Sequence, residues 1–224
     1  MRTLKANNIM KLFIGIAALS TFTIVAGAQT PKDVPAGHWA RPAVTEVVRQ
    51  GVMPAPNGSF SGDKKVTRTE FAIILANFAR ALEAGKWPKA NARAIKDPKK
   101  ADLSDKPVSR YELAAVLDRV GRIAAHGLPS GETKRYGKSN AIPPIADLKG
   151  VPASDPAYES LQYLAKNRML LKGSVLAKPG PQPVTGEQVA ESVSNVIAGV
   201  NDRLTTEPDE APLISTPPHK KDEK

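Results

Sequence analysis

Residues 66–71 read VTRTEF, and the reading of these six residues decides the fold. Thr67 carries the hydroxyl of a helix N-cap, and Glu70, three residues on, completes a capping box. Val66 before the cap and Phe71 after it are spaced to close a hydrophobic staple. Arg68 then falls on the first helical position, where the macrodipole disfavours a cation by roughly 0.3–1 kcal/mol. A charge in that place either has a compensating partner or is a solvated surface charge.

The pattern returns twice. VSRYEL occupies 108–113 and VTGEQV occupies 184–189. Each copy has an apolar residue (Val108, Val184), a hydroxyl cap (Ser109, Thr185), an acid or amide three residues later (Glu112, Gln188) and an apolar staple partner (Leu113, Val189). One such box arises easily by chance; three, each opening an apolar-periodic segment, indicate an internal repeat. Phe71, Ile74, Leu75, Phe78 and Leu82 line one helical face. Leu113, Val116, Leu117 and Val120 line a second, and Val189, Val193, Val196, Ile197 and Val200 a third. These stripes are predicted to be core.

The first box has a preamble, residues 33–65. Pro42 suits the first turn of a short helix, with Ala43, Val44, Val47 and Val48 on its buried side and Gly51 ending it. A Pro/Gly-rich loop, MPAPNGSFSGD, leads back to the box. The unit is therefore a short helix, a loop and a longer capped helix. The third box repeats it: Asp147, AYESLQYLAKNRML as the short helix, then KGSVLAKPGPQP as the loop. The second is clipped, because residues 84–100 are too few and too basic for a full first helix.

Two stretches then carry a family resemblance. DVPAGHWARPAVTEVVRQGV (33–52) and GSFSGDKKVTRTEFA (58–72) resemble the S-layer homology (SLH) repeat, which has an Asp-Val-Pro start, His-Trp-Ala, a helix ending in Gly, a Gly-x-Phe turn and a Thr-Arg-Ala-Glu box. The match is specific in the first repeat, partial in the second (VSRYELA) and eroded in the third. It implies an all-α fold of three pseudo-symmetric helix-loop-helix repeats in a compact bundle. It also implies non-enzymatic anchoring to an anionic cell-wall glycan, often pyruvylated, or to peptidoglycan. The repeats are expected at 31–84, 85–127 and 145–203, with a linker at 128–144 and a disordered, Pro-rich tail at 204–224.

The resemblance gives Arg68 and Arg110 a role, lining inter-repeat grooves that take an anionic sugar. The chemistry agrees, since a helix start offers unpaired N–H groups and an arginine adds a bidentate fork. Thr67 and Ser109 beside them join the candidate ligand set. The competing reading pairs each arginine with a structural carboxylate such as Asp33, Asp63 or Asp105. Gly186 stands where a third arginine would, which argues against a third identical pocket. Trp39 offers a flat face for a sugar ring, or a core anchor. Trp87, in GKWPKANARAIKDPKK, is expected in a loop.

Composition sets the compartment. Arg2, Lys5 and Lys11 precede an apolar core and the small-x-small site Ala26-Gly27-Ala28, an export signal expected to be cleaved after Ala28. Losing its three basic residues takes the formal charge from +10 to +7 and leaves 196 of 224 residues. No span is expected after cleavage. With no cysteine, neither disulfides nor lipidation is available. The expected location is the wall, surface or periplasm of a bacterium. No metal site, cofactor fingerprint, catalytic constellation or nucleic-acid motif is present: His38, His126 and His219 lie in unlike contexts, and no carboxylate pair stands out. The alternative function is a structural or adaptor protein that keeps the fold and binds a protein partner.

Overall fold

The computed structural model describes residues 30–84, 104–128 and 145–204. The export signal, Trp87, the linker from 129 and the tail from 205 lie outside them. Among the described residues the chain is helical, with five α-helices: α1 Arg41–Arg49, α2 Arg68–Ala84, α3 Arg110–Ala124, α4 Tyr158–Lys166 and α5 Gly186–Leu204. Two short 3-10 turns, Pro56–Gly58 and Val175–Ala177, sit in the loops. Extended pairing is confined to isolated antiparallel bridges among the described residues.

All three capping boxes form. In the first, the Thr67 N–H donates to Glu70 Oε2 (2.8 Å) and the Glu70 N–H donates to Thr67 Oγ1 (3.2 Å). Ser109 and Glu112 reproduce this at 2.9 and 3.2 Å, and Thr185 and Gln188 at 3.2 and 3.5 Å. The six staple residues, Val66, Phe71, Val108, Leu113, Val184 and Val189, are all buried. So is the face each stripe predicted, apart from Leu75 and Val116, which pack half-buried against the same core.

The boxes also meet one another. The Val66 N–H donates to the Val184 carbonyl (3.0 Å), Val184 to Val108 (2.9 Å) and Val108 to Val66 (2.9 Å), which closes a ring. Just beyond it, the first helical N–H of each long helix reaches the carbonyl two residues before the neighbouring valine: Arg68 to Lys106, Arg110 to Gln182 and Gly186 to Lys64. The second helical N–H reaches two residues further back: Thr69 to Ser104, Tyr111 to Gly180 and Glu187 to Gly62. Buried N–H groups must find acceptors. Here each helix start finds them on the next box, so three remote segments are locked together at their caps.

The short helices fill the flanks. α1 packs on α5, α4 packs on α3, and α3 packs on α5. Pro42 lies in the first turn of α1, as expected, and Val44 and Val47 are fully buried. Gly51, at φ +68°, ends α1 in a Schellman motif, with Gly51 N–H to Val48 and Val52 N–H to Val47. α4 stops at Lys166, earlier than the AYESLQYLAKNRML stretch suggested, because the same motif forms there with Arg168 at φ +58°. A left-handed conformation costs a residue with a Cβ roughly 1–2 kcal/mol. Arg168→Gly is therefore expected to stabilise the protein by about 0.5–1 kcal/mol, net of the arginine's own contacts, read as a raised midpoint in urea unfolding.

Asp33 closes the first loop. Its carboxylate accepts the Phe60 N–H (2.8 Å), the Ser61 N–H (2.7 Å) and the Ser59 hydroxyl (2.8 Å). What burial it has pushes its pKa up, but these donors outweigh that and hold it below the ordinary aspartate value. Asp147, its counterpart in the third unit, instead accepts the N–H of Lys149 in its own turn (3.0 Å).

Candidate functional site

The three box-to-box seams contain the candidate residues. At the first seam, between α2 and α3, Arg68 hydrogen-bonds through Nη2 to Glu112 Oε1, the box acid of the next helix. This identifies the compensating group for the cation at the helix start. The ring brings Glu112 alongside Arg68 from 44 residues away, a pairing with a structural carboxylate that the competing reading expected in kind. Burial raises the Glu112 pKa, but the Ser109 N–H and hydroxyl, with Arg68, more than reverse this and leave it lowered.

The helix starts themselves are not anion sites. Their first two N–H groups are spent on the neighbouring segment, and the third on the box hydroxyl. The expectation of unpaired N–H groups fails because the tertiary ring supplies acceptors that a single repeat lacks. Thr67 Oγ1 and Ser109 Oγ likewise donate to their own box acids, at 3.0 and 2.9 Å.

At the second seam, between α3 and α5, Arg110 occupies the place of Arg68, but the box residue facing this seam is Gln188. Arg110 Nη1 donates to the Lys178 carbonyl (3.2 Å), and its Nε is buried with no hydrogen-bond partner. Next to it the Tyr111 hydroxyl donates to Asp155 Oδ2 (3.4 Å), and Asp155 Oδ1 accepts the Ala157 N–H (2.8 Å).

The third seam joins α5 to the first unit and has Gly186 where the others have arginine. The backbones approach so closely that a methyl at Gly186 would lie 3.3 Å from the Gly62 Cα and carbonyl oxygen. An arginine would fit only if that backbone moved. His38 Nε2 lies 3.6 Å from Glu187 Oε1 here, and its Nδ1 accepts the Ala40 N–H (3.3 Å). Trp39 sits beside His38 with ring centroids 5.9 Å apart. It is 58% exposed, so it is no core anchor. The face it offers is open to a sugar ring.

Glu191 was not singled out by the sequence. Burial raises its pKa, while the Ser174 and Ser192 hydroxyls and the Asn195 amide, all neutral donors, partly counter this. Its Ile73 and Ala115 equivalents are exposed, so only the loop folded over α5 could have revealed it. Among the described residues no group of three or more His, Cys, Asp or Glu could hold a metal ion, and no helix is long and apolar enough to cross a membrane.

Comparison with known proteins bears on the first unit. Residues 32–72 match the family model of the S-layer homology domain. The chain is similar to outer membrane protein SlpA of Deinococcus radiodurans, at 33% identity over 143 residues, covering 55% of this chain and 12% of that one. It is also similar to outer membrane protein SlpA of Thermus thermophilus, at 27% identity over 143 residues, covering 63% of this chain and 15% of that one. The matched part is thus a small fraction of either relative. The stretch that matches the S-layer homology domain, residues 32–72, runs from the loop closed by Asp33 to the first turn of α2.

Proposed function

We propose that this protein attaches non-enzymatically to the bacterial cell envelope, binding an anionic wall glycan or peptidoglycan at the end of the bundle where the box seams lie. The observation that carries the reading is the pair of arginines, Arg68 and Arg110, set at equivalent seams, the first within the stretch that matches the S-layer homology domain. A guanidinium beside a groove presents a planar fork that matches a carboxylate or phosphate. The formal charge of +7 after loss of the export signal would draw the protein to such polymers before any specific contact forms. The names of the SlpA relatives place them in the envelope and support that location here.

Co-sedimentation with purified wall sacculi tests this. The exported chain is expected to pellet at about 0.3 M salt, where the Debye length is down to several ångströms and diffuse attraction is screened. Arg68→Ala/Arg110→Ala is expected to release about ten-fold more protein to the supernatant. Equal release of both as salt rises would reduce the interaction to bulk charge. The adaptor reading, in which the same fold binds a protein partner rather than glycan, would then take its place.

A further inference from the structure

We infer that the anion is taken at one seam only, the one between α3 and α5, and that Gln188 is the residue that selects it. This rests on the wall-attachment reading for its biological setting, but not for its chemistry. At the first seam Glu112 uses Oε2 for the Ser109 N–H and hydroxyl and has Oε1 left for Arg68. Cation and acid satisfy one another there, and an incoming anion would have to displace a carboxylate already in place.

The second seam is built to the same plan with one atom changed. Gln188 uses Oε1 for the Thr185 N–H (3.2 Å), as Glu112 uses Oε2. The atom left over is Nε2, which has hydrogens to give and accepts nothing. Arg110 therefore finds no carboxylate oxygen where Arg68 finds one. Its Nη1 turns to the Lys178 carbonyl, and its Nε stays buried without a partner. Asp155, the carboxylate beside the neighbouring Tyr111, is engaged by the Tyr111 hydroxyl and the Ala157 N–H.

The seam thus has a surplus of donors, and a buried donor without an acceptor costs about 1–3 kcal/mol. The ligand that relieves this is an acceptor with negative charge: a carboxylate or phosphate-ester oxygen borne by a saccharide. The third seam has the opposite balance. It carries Gly186 in place of a cation, and its box acid is Glu70. So three seams of one design divide into a self-paired one, a donor-rich one and an acid one, and only the second suits an anion.

The test is Gln188→Glu, which keeps the capping box and gives Arg110 the partner that Arg68 already has. Sacculus binding is expected to fall about ten-fold, as in Arg110→Ala. The Gln188→Glu midpoint for thermal unfolding is expected to be no lower than native, which separates lost binding from lost folding. Native-level pelleting by Gln188→Glu would overturn the proposal and leave wall attachment standing. The second measurement needs no wall. Sodium pyruvate and inorganic phosphate are titrated at constant ionic strength while the Nε–H resonances of Arg110 and Arg68 are followed. A saturable shift at Arg110 alone is expected, and the more effective of the two anions identifies the ligand as carboxylate or phosphate. That shift in a protein that fails to pellet would uphold the seam and remove the wall reading. A shift at Arg68 alone, at both or at neither would overturn the assignment.

Discussion

Gly199→Ala is expected to destabilise the protein by about 2–3 kcal/mol, against the usual direction of that change. In an ordinary helix interior, alanine in place of glycine stabilises by about 1 kcal/mol. Gly199 lies inside α5, where a methyl group would sit 2.7 Å from Met169 Cγ, 2.9 Å from the Asn167 carbonyl oxygen and 3.3 Å from the Arg168 carbonyl oxygen. Two of those three atoms are backbone in the turn that ends α4. They are held by the Schellman hydrogen bonds of Arg168 and Met169, so they do not yield cheaply. Arg203, one turn further along α5, fixes the same turn through Asn167.

Gly121 is the control. A methyl there would approach Met169 Sδ to 2.7 Å, but Sδ is near the end of a flexible side chain and can swing aside. Gly121→Ala should cost less than 1 kcal/mol. At roughly 2–4 °C per kcal/mol for a chain of this size, Gly199→Ala should lower the melting midpoint by about 4–12 °C. Similar small effects for both variants would show that the α4 turn does not seat on α5 as described.

Glu112→Ala is expected to cost about 2 kcal/mol, roughly twice the cost of Glu70→Ala. Both changes remove a capping box, worth about 1 kcal/mol. Only Glu112 also neutralises a cation held at the positive end of a helix, so its loss removes that carboxylate from Arg68. The comparison has a pH signature. The folded pKa of Glu112 is depressed, so its contribution is complete above the ordinary glutamate value of 4.5 and is lost as pH falls through the folded value. The gap in stability between native protein and Glu112→Ala should therefore be largest near pH 7 and narrow below about pH 4.5. A gap that persists unchanged at pH 3 would mean that packing, not charge, accounts for the loss.

The contrast between Arg68 and Arg110 shows how far local sequence reaches. In sequence the two are equivalent: a hydroxyl cap before, a box acid two residues later, an apolar stripe beyond. Both were candidates on the same grounds. What separates them is the neighbour that the ring supplies, Glu112 for one and Gln188 for the other. No spacing rule links residue 68 to 112 or residue 110 to 188, since such pairs are made only when three remote segments share their caps.

The sequence by itself determined the local structure. Caps, staples and the glycine that ends α1 depend on residues within about four positions of one another, and their hydrogen bonds form within a single turn. Periodicity likewise identified the buried faces, because a helix repeats every 3.6 residues whatever it packs against. Tertiary structure alone decided which N–H groups remained available, which arginine kept its charge unpaired and why Gly186 replaces a third. Those outcomes depend on acceptors and backbone brought from other repeats. Trp39 shows the same division: its indole suited both a core and a surface, and only the packing of α1 against α5 left it outside.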